Sequence, residues 1–257
     1  MLRIQSNRPT GIPASTMKLW GLAALLLGSA SVALLQNGLL HLGEISAEEL
    51  SQSMQNSNTV MMTATLALVL QAIGTCAVPI FALLLVEAYR REENFRLLAE
   101  RVCVIALLSE IPFNLAMDGH LMAVETRNPA FGLVLGLVCL YTYGKLPEKK
   151  FAHIAVKVLV TVAALGWSIV LQIQDGFAVV ALVAALWSFR EKKNQRVLAA
   201  LGCCAVLILL SPFYLAALLG VLGIYFYNGE AGEDHQAMTD LCYPGMLALM
   251  GVLGRLL

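Results

Sequence analysis

Charge is what this sequence has least of. Only 13% of its 257 residues are Asp, Glu, Lys or Arg, against about 25% in an ordinary soluble domain, while 59% are hydrophobic. The shortage runs along the whole chain and excludes a conventional water-soluble globule. Disorder is excluded too, because a chain this apolar does not stay solvated. Lys plus Arg and Asp plus Glu both number 17, so there is no net field to attract nucleic acid. The six cysteines (Cys76, Cys103, Cys139, Cys203, Cys204 and Cys242) lie in apolar runs without metal-ligand spacing, and no metal site is expected. They read as small buried hydrophobes rather than as a disulfide framework. Glycine-rich phosphate loops, HExxH and GxSxG are also missing.

What the sequence has instead is long apolar runs, with mean hydropathy +0.76. A bilayer core about 30 Å thick takes roughly 20 apolar residues per helix. Runs near that length are expected at Leu19 to Leu40, Thr59 to Tyr89, Arg101 to Met117, Pro129 to Lys145, Ile154 to Ile173 and Gly176 to Phe189. Two shorter helices are expected from Arg196 to Tyr227 and a last from Asp240 to Leu256. The expectation is an all-α, polytopic transmembrane bundle of eight or nine spans, forming one domain over 1–257. Gly74 with Pro79, Pro112 and Ser211-Pro212 should kink or split the long runs, since proline removes a backbone donor and crowds the preceding turn.

The cations fall in alternate links. Arg3, Arg8 and Lys18 precede the first span; Arg90, Arg91, Arg96 and Arg101 follow the second; Lys145, Lys149, Lys150 and Lys157 follow the fourth; and Arg190, Lys192, Lys193 and Arg196 follow the sixth. The intervening links hold only Arg127. This positive-inside pattern puts residues 1–18 in the cytoplasm of a cell whose plasma membrane the chain crosses. A rival reading takes the first run as a cleaved signal peptide ending near Gly28-Ser29-Ala30-Ser31, although its apolar stretch continues to Leu40.

A charged group at membrane depth costs about 2.5–3.5 kcal/mol on insertion scales, so each is a functional candidate. Glu110 lies about 13 Å along its helix from Arg101, with Ser109, Pro112 and Asn114 beside it. It reads either as a polar niche open to a substrate or proton, or as a structural carboxyl bonded to a neighbouring helix. Glu87 precedes Arg90 and Arg91 by three and four residues, the spacing of an interfacial ion pair. The four arginines Arg90, Arg91, Arg96 and Arg101 could also attract an anionic cosubstrate such as acyl-coenzyme A. His41, His120, His153 and His235 fall in polar links and read as solvated side chains.

Several segments resemble the TraX family of integral membrane proteins, named for the conjugative pilin acetylase. They are Lys18 opening the first span, IGTCAVPIFALLLVEAYRR from Ile73, ALLSEIPFNLAM from Ala106, QDG from Gln174, YNG from Tyr227 and CYPGML from Cys242. The resemblance implies a multi-pass inner-membrane acyltransferase moving an acetyl group from acetyl-coenzyme A to a protein or envelope acceptor. An embedded histidine would then act as general base, and a cation would steady the oxyanion. The chain departs from the family pattern at those positions. Gly28-Ser29 stands where Asp-His is expected, Thr75 where IGRxAFP has arginine, and Met246 where YPxHL has histidine. Ser29 and Thr75 can hydrogen-bond, but neither is a base near neutral pH. Three functions therefore stay open: an acyltransferase, a non-catalytic protein binding lipid, acyl-coenzyme A or another membrane chain, and a small transporter gated near Pro79 and Pro112.

Overall fold

The computed structural model describes residues 10–43, 45–92, 94–122, 126–146, 151–233 and 236–257. Arg3, Arg8, Lys149, Lys150 and His235 lie outside the described residues. Among the described residues the chain is helical and contains no strand. Helix α1 (Ala14–Ala30) passes directly into a wider π-helical stretch, Ser31–Leu39. Polar side chains tie that stretch to its neighbours. Ser31 donates to the Ala67 carbonyl (2.6 Å), Gln36 to Gln71 Oε1 (3.1 Å) and Asn37 to the Met117 carbonyl (2.6 Å).

Helix α2 (Ala47–Asn56) lies in the link expected to be irregular. A capping box starts it: the Ser46 hydroxyl accepts from the Glu49 backbone, and the Glu49 carboxylate accepts from the Ser46 backbone at 2.8 Å. Helices α3 (Asn58–Gly74) and α4 (Ala77–Arg91) divide the overlong second run. The break falls at Thr75-Cys76 and not at Pro79, which occupies the first turn of α4, where no backbone donor is needed.

Helix α5 (Phe95–Met117) begins six residues before the expected start, capped by the Asn94 side chain on the Arg96 N–H (3.2 Å), and runs unbroken through Pro112. It is followed by α6 (Ala130–Lys145), α7 (Phe151–Val170), α8 (Gly176–Ser188) and α9 (Lys193–Leu210). Pro212 opens a 3-10 turn, Pro212–Leu215, that separates α9 from α10 (Ala217–Phe226), the split expected there. Helix α11 (Gln236–Gly254) completes the bundle.

Among the described residues four helical stretches are long and apolar enough to cross a bilayer: Ala14–Leu39, Asn58–Arg91, Phe151–Val170 and Lys193–Leu210. Shorter apolar helices occur at Ala130–Lys145, Gly176–Ser188, Pro212–Phe226 and Met238–Gly254. Helix α8 occupies the middle of the bundle, packed against α4, α6, α7 and α9, with Ala178, Val180, Leu182, Val183 and Leu186 fully buried. Helix α7 does the reverse, exposing Leu159, Val162, Trp167, Ile169 and Val170 on its outer face. A surface as apolar as the interior is what a lipid solvent permits, so packing here depends on close fit between helices.

A mutual glycine contact joins α1 to α3. A Cβ built on Gly28 would stand 2.9 Å from the Gly74 Cα, and one built on Gly74 would meet the Gly28 Cα at the same distance. Only glycine lets the two backbones meet this way. Gly202, on α9, faces open space. Replacing Gly74 by Ala is expected to cost about 1–3 kcal/mol through overpacking. Gly202→Ala should be neutral or stabilise by up to about 1 kcal/mol. Thermal unfolding of the two variants in detergent checks the contrast.

Candidate functional site

The polar residues gather at the two ends of the bundle. At one end, Glu110 on α5 meets the α5–α6 link. Its carboxylate lies 3.4 Å from Arg127 Nη1 and accepts from the Asn128 backbone N–H at 3.2 Å. It stands about 22 Å along α5 from Phe95, because the helix starts earlier than expected, and so sits toward the far end rather than midway. Asn128 is fully buried and organises this end. Its amide donates to Ser109 Oγ (2.5 Å), and its carbonyl oxygen accepts from the Tyr243 hydroxyl (3.1 Å) and the Ala130 N–H (3.0 Å). Ser109 in turn donates to the Ile105 carbonyl. Asn114, one turn beyond Glu110, is buried, with its Oδ1 unpartnered among the described residues.

The Arg127 backbone extends this arrangement to the α7–α8 link, donating to the Gln172 carbonyl (3.0 Å) and accepting from the Gln174 N–H (2.9 Å). In the same link Asp175 accepts from the Tyr214 hydroxyl at 2.6 Å. Burial pushes the Asp175 carboxyl above its ordinary value, opposed by that hydrogen bond. Glu110 therefore has the structural partners of the second reading, a carboxyl bonded to a neighbouring segment. The lone cation of the intervening links is its counter-ion.

The opposite end is basic. Glu87, 6% exposed, is faced by three guanidiniums: Arg196 at 2.8 Å from α9, Arg90 at 3.2 Å and Arg91 at 3.7 Å. The expected helical pairs are present, and Arg196 adds a partner that spacing alone did not reveal. Arg91 also donates to the Tyr227 hydroxyl and to the Gly229 carbonyl (2.7 Å), while Arg91 and Arg196 both lie over the Tyr227 ring. A separate cluster holds Arg101, whose guanidinium grips Asp240 with two bonds (2.5 and 3.0 Å); Lys18 bonds the same carboxylate at 3.0 Å. Arg96 points outward to Glu100 (2.6 Å). The four expected arginines thus do not form one site. Arg90 and Arg91 share Glu87, Arg101 belongs to Asp240, and Arg96 is solvated.

The remaining positions lie between these ends. Ser29 and Thr75, next to the touching glycines, are both buried. The Ser29 hydroxyl donates to the Leu25 carbonyl (3.0 Å), and that of Thr75 bonds the Ala72 and Phe213 carbonyls (2.7 and 3.0 Å). Met246 is partly buried against the apolar cluster of Leu22, Ala33, Phe113, Ala116, Tyr243, Leu247 and Met250. A shallow apolar groove of about 530 Å³ is lined by Ala72, Pro212, Phe213, Leu215, Ala216 and Leu219; neither Glu110 nor Ser29 reaches it. Among the described residues no cluster of His, Cys, Asp and Glu is suited to a metal.

The sequence model of the TraX protein family matches residues 47–254, most of the chain. The chain belongs to the TraX family. The match begins at α2, beyond the first span, and takes in Glu87, Glu110, Asn128, Arg196, Tyr227 and Tyr243. No curated protein and no solved structure matches. Membership and the apolar helices make it a membrane protein of that family.

In the sequence an asparagine before a proline signals only a turn, and Asn128 does serve the turn into α6 by accepting from the Ala130 N–H. Replacing Asn128 by Ala strands the Tyr243 hydroxyl and removes the acceptor of the Ala130 N–H, and is expected to cost about 1–3 kcal/mol. Glu110→Gln keeps an acceptor for the Asn128 N–H and loses only a half-exposed ion pair, at under about 1 kcal/mol. Unfolding midpoints in detergent test the order; a larger loss in Glu110→Gln would make the carboxylate the organising group.

Proposed function

We propose that this TraX-family membrane protein binds rather than transfers: it is a non-catalytic protein whose ligand is a lipid, an acyl-coenzyme A or another membrane chain. One observation carries the reading. Where the resemblance puts a reactive arginine and histidine, Thr75 has its hydroxyl engaged by two carbonyls and Met246 is packed among apolar side chains. At the corresponding first-span position, Gly28 lies against the Gly74 backbone, leaving no room for an aspartate. Attack on a thioester needs a positioned base and a stabiliser for the oxyanion, and loss of a general base costs about 10²–10⁴-fold. Glu110 does not replace them, being held by Arg127 and Asn128.

A second reading is acetyl or acyl transfer from an acyl-coenzyme A to a protein or envelope acceptor. It is favoured by the three arginines around Glu87 at the end where a charged cosubstrate would arrive. The transporter reading has no such support. Helix α5 continues through Pro112, and the break near Pro79 is closed by the Thr75 to Phe213 bond. Placement in the inner membrane with the N-terminal segment cytoplasmic is supported by the cations: Lys18, Arg91, Arg101 and Arg196 share one end, and Arg127 stands at the other.

Purified protein incubated with labelled acetyl-coenzyme A and a membrane extract is expected to leave every acceptor unlabelled above the protein-free blank. Protein-dependent label on any acceptor would overturn the non-catalytic reading in favour of the second.

A further inference from the structure

We infer that the arginine cluster over Glu87 is a binding site for a phosphate ester, built from Arg91, Arg196 and Arg90 with Tyr227 as its floor. This deepens the binding reading above, on which it rests. The Glu87 carboxylate is met by three guanidiniums, which among the described residues leaves two positive charges in excess at a half-buried position. Arg196 is 7% exposed, and its Nε has no partner among the described residues. An uncompensated guanidinium out of water is costly, and an anion relieves that cost. The nearby Glu230 carboxylate does not supply it, being turned to the Asn228 side chain (3.4 Å).

The arrangement is anchored on three parts of the chain. Arg90 and Arg91 come from the last turn of α4, Arg196 from the first turn of α9, and Tyr227 follows α10. The Tyr227 ring lies under two of the guanidiniums, at 5.6 Å from Arg196 and 5.9 Å from Arg91, and its hydroxyl accepts from Arg91, which fixes that guanidinium, while Tyr227 meets Arg196 by the ring face alone. The Arg90 and Arg91 side chains are about one third exposed (36% and 34%), so an anion has access from water while Arg196 supplies charge beneath. Planar guanidinium forks match the oxygens of a phosphate, and the cluster lies at the basic end, where lipid phosphates and soluble phosphate esters both come within reach. Aromatic rings in edge and tilted contact (Tyr89, Trp187, Phe95, Tyr141) mark the same end as a membrane interface.

The test uses the full chain in nanodiscs. In phosphatidylcholine discs, adenosine 3′,5′-bisphosphate is titrated by calorimetry. In parallel, native mass spectrometry reads which lipids are retained from discs containing phosphatidylglycerol. Saturable binding of the nucleotide assigns a soluble ester, and selective retention of phosphatidylglycerol assigns a lipid headgroup; either supports the site. Arg91→Gln and Arg196→Lys should each weaken the interaction at least tenfold, whereas Lys157→Gln should not. Arg91→Gln leaves the Arg196 to Glu87 pair in place, and an unchanged unfolding midpoint shows that the variant is folded. Failure of both probes to bind, or binding indifferent to Arg91 and Arg196, overturns the site. Neither result moves the acetyl-transfer assay, so loss of this site and loss of the non-catalytic reading are read separately.

Discussion

The contact between Gly28 and Gly74 fixes the middle of this molecule. In lipid, helices gain nothing from merely hiding apolar side chains, so they associate where small residues let backbones come close. With α1 held against the end of α3, the break at Thr75-Cys76 is pinned beside α1, and Thr75 is directed to the Phe213 carbonyl. That bond brings the 3-10 turn after α9 against the same break. The positions at which the family resemblance would put acetyl-transfer chemistry are thus taken up by backbone contacts at Gly28 and Thr75 and by apolar packing at Met246.

Polar chemistry has been moved to the ends, where it costs less. At the far end one buried asparagine joins α5, α6 and α11 through Ser109, Ala130 and Tyr243, and Glu110 with Arg127 covers it. At the basic end two carboxylates, Glu87 and Asp240, collect five cations from α1, α4, α5 and α9. These clusters lock helix ends that are far apart in sequence. Among the described residues Glu87 is met by three guanidiniums and Asp240 by two cations, the Arg101 fork and Lys18, so the larger excess of positive charge lies around Glu87.

Much of the fold was legible from hydropathy alone. The helices at Ala130–Lys145, Phe151–Val170 and Gly176–Ser188 fall close to the expected runs, since long apolar segments dominate their own sequence signal. Helix α2 escaped because it is polar, although Ser46 and Glu49 carry a capping box. The break expected at Gly74 with Pro79 is present, but it follows Gly74 directly, and Pro79 sits in the first turn of α4, where it disturbs nothing. The ion pairs within one helix, Glu87 with Arg90 and Arg91, followed from spacing. Those between helices, such as Arg196 with Glu87 and Arg101 with Asp240, did not, because one-dimensional patterns carry no information on which helices meet.

The touching glycines and the buried Ser29 and Thr75 beside them close off the middle of the bundle. Cysteine placed singly at Ser29 or Thr75, in a chain whose native cysteines have been replaced, should resist a membrane-impermeant maleimide applied to either face, while cysteine at the exposed Met122 should label. Rapid labelling at Ser29 or Thr75 would instead reveal a water-filled pocket between these helices.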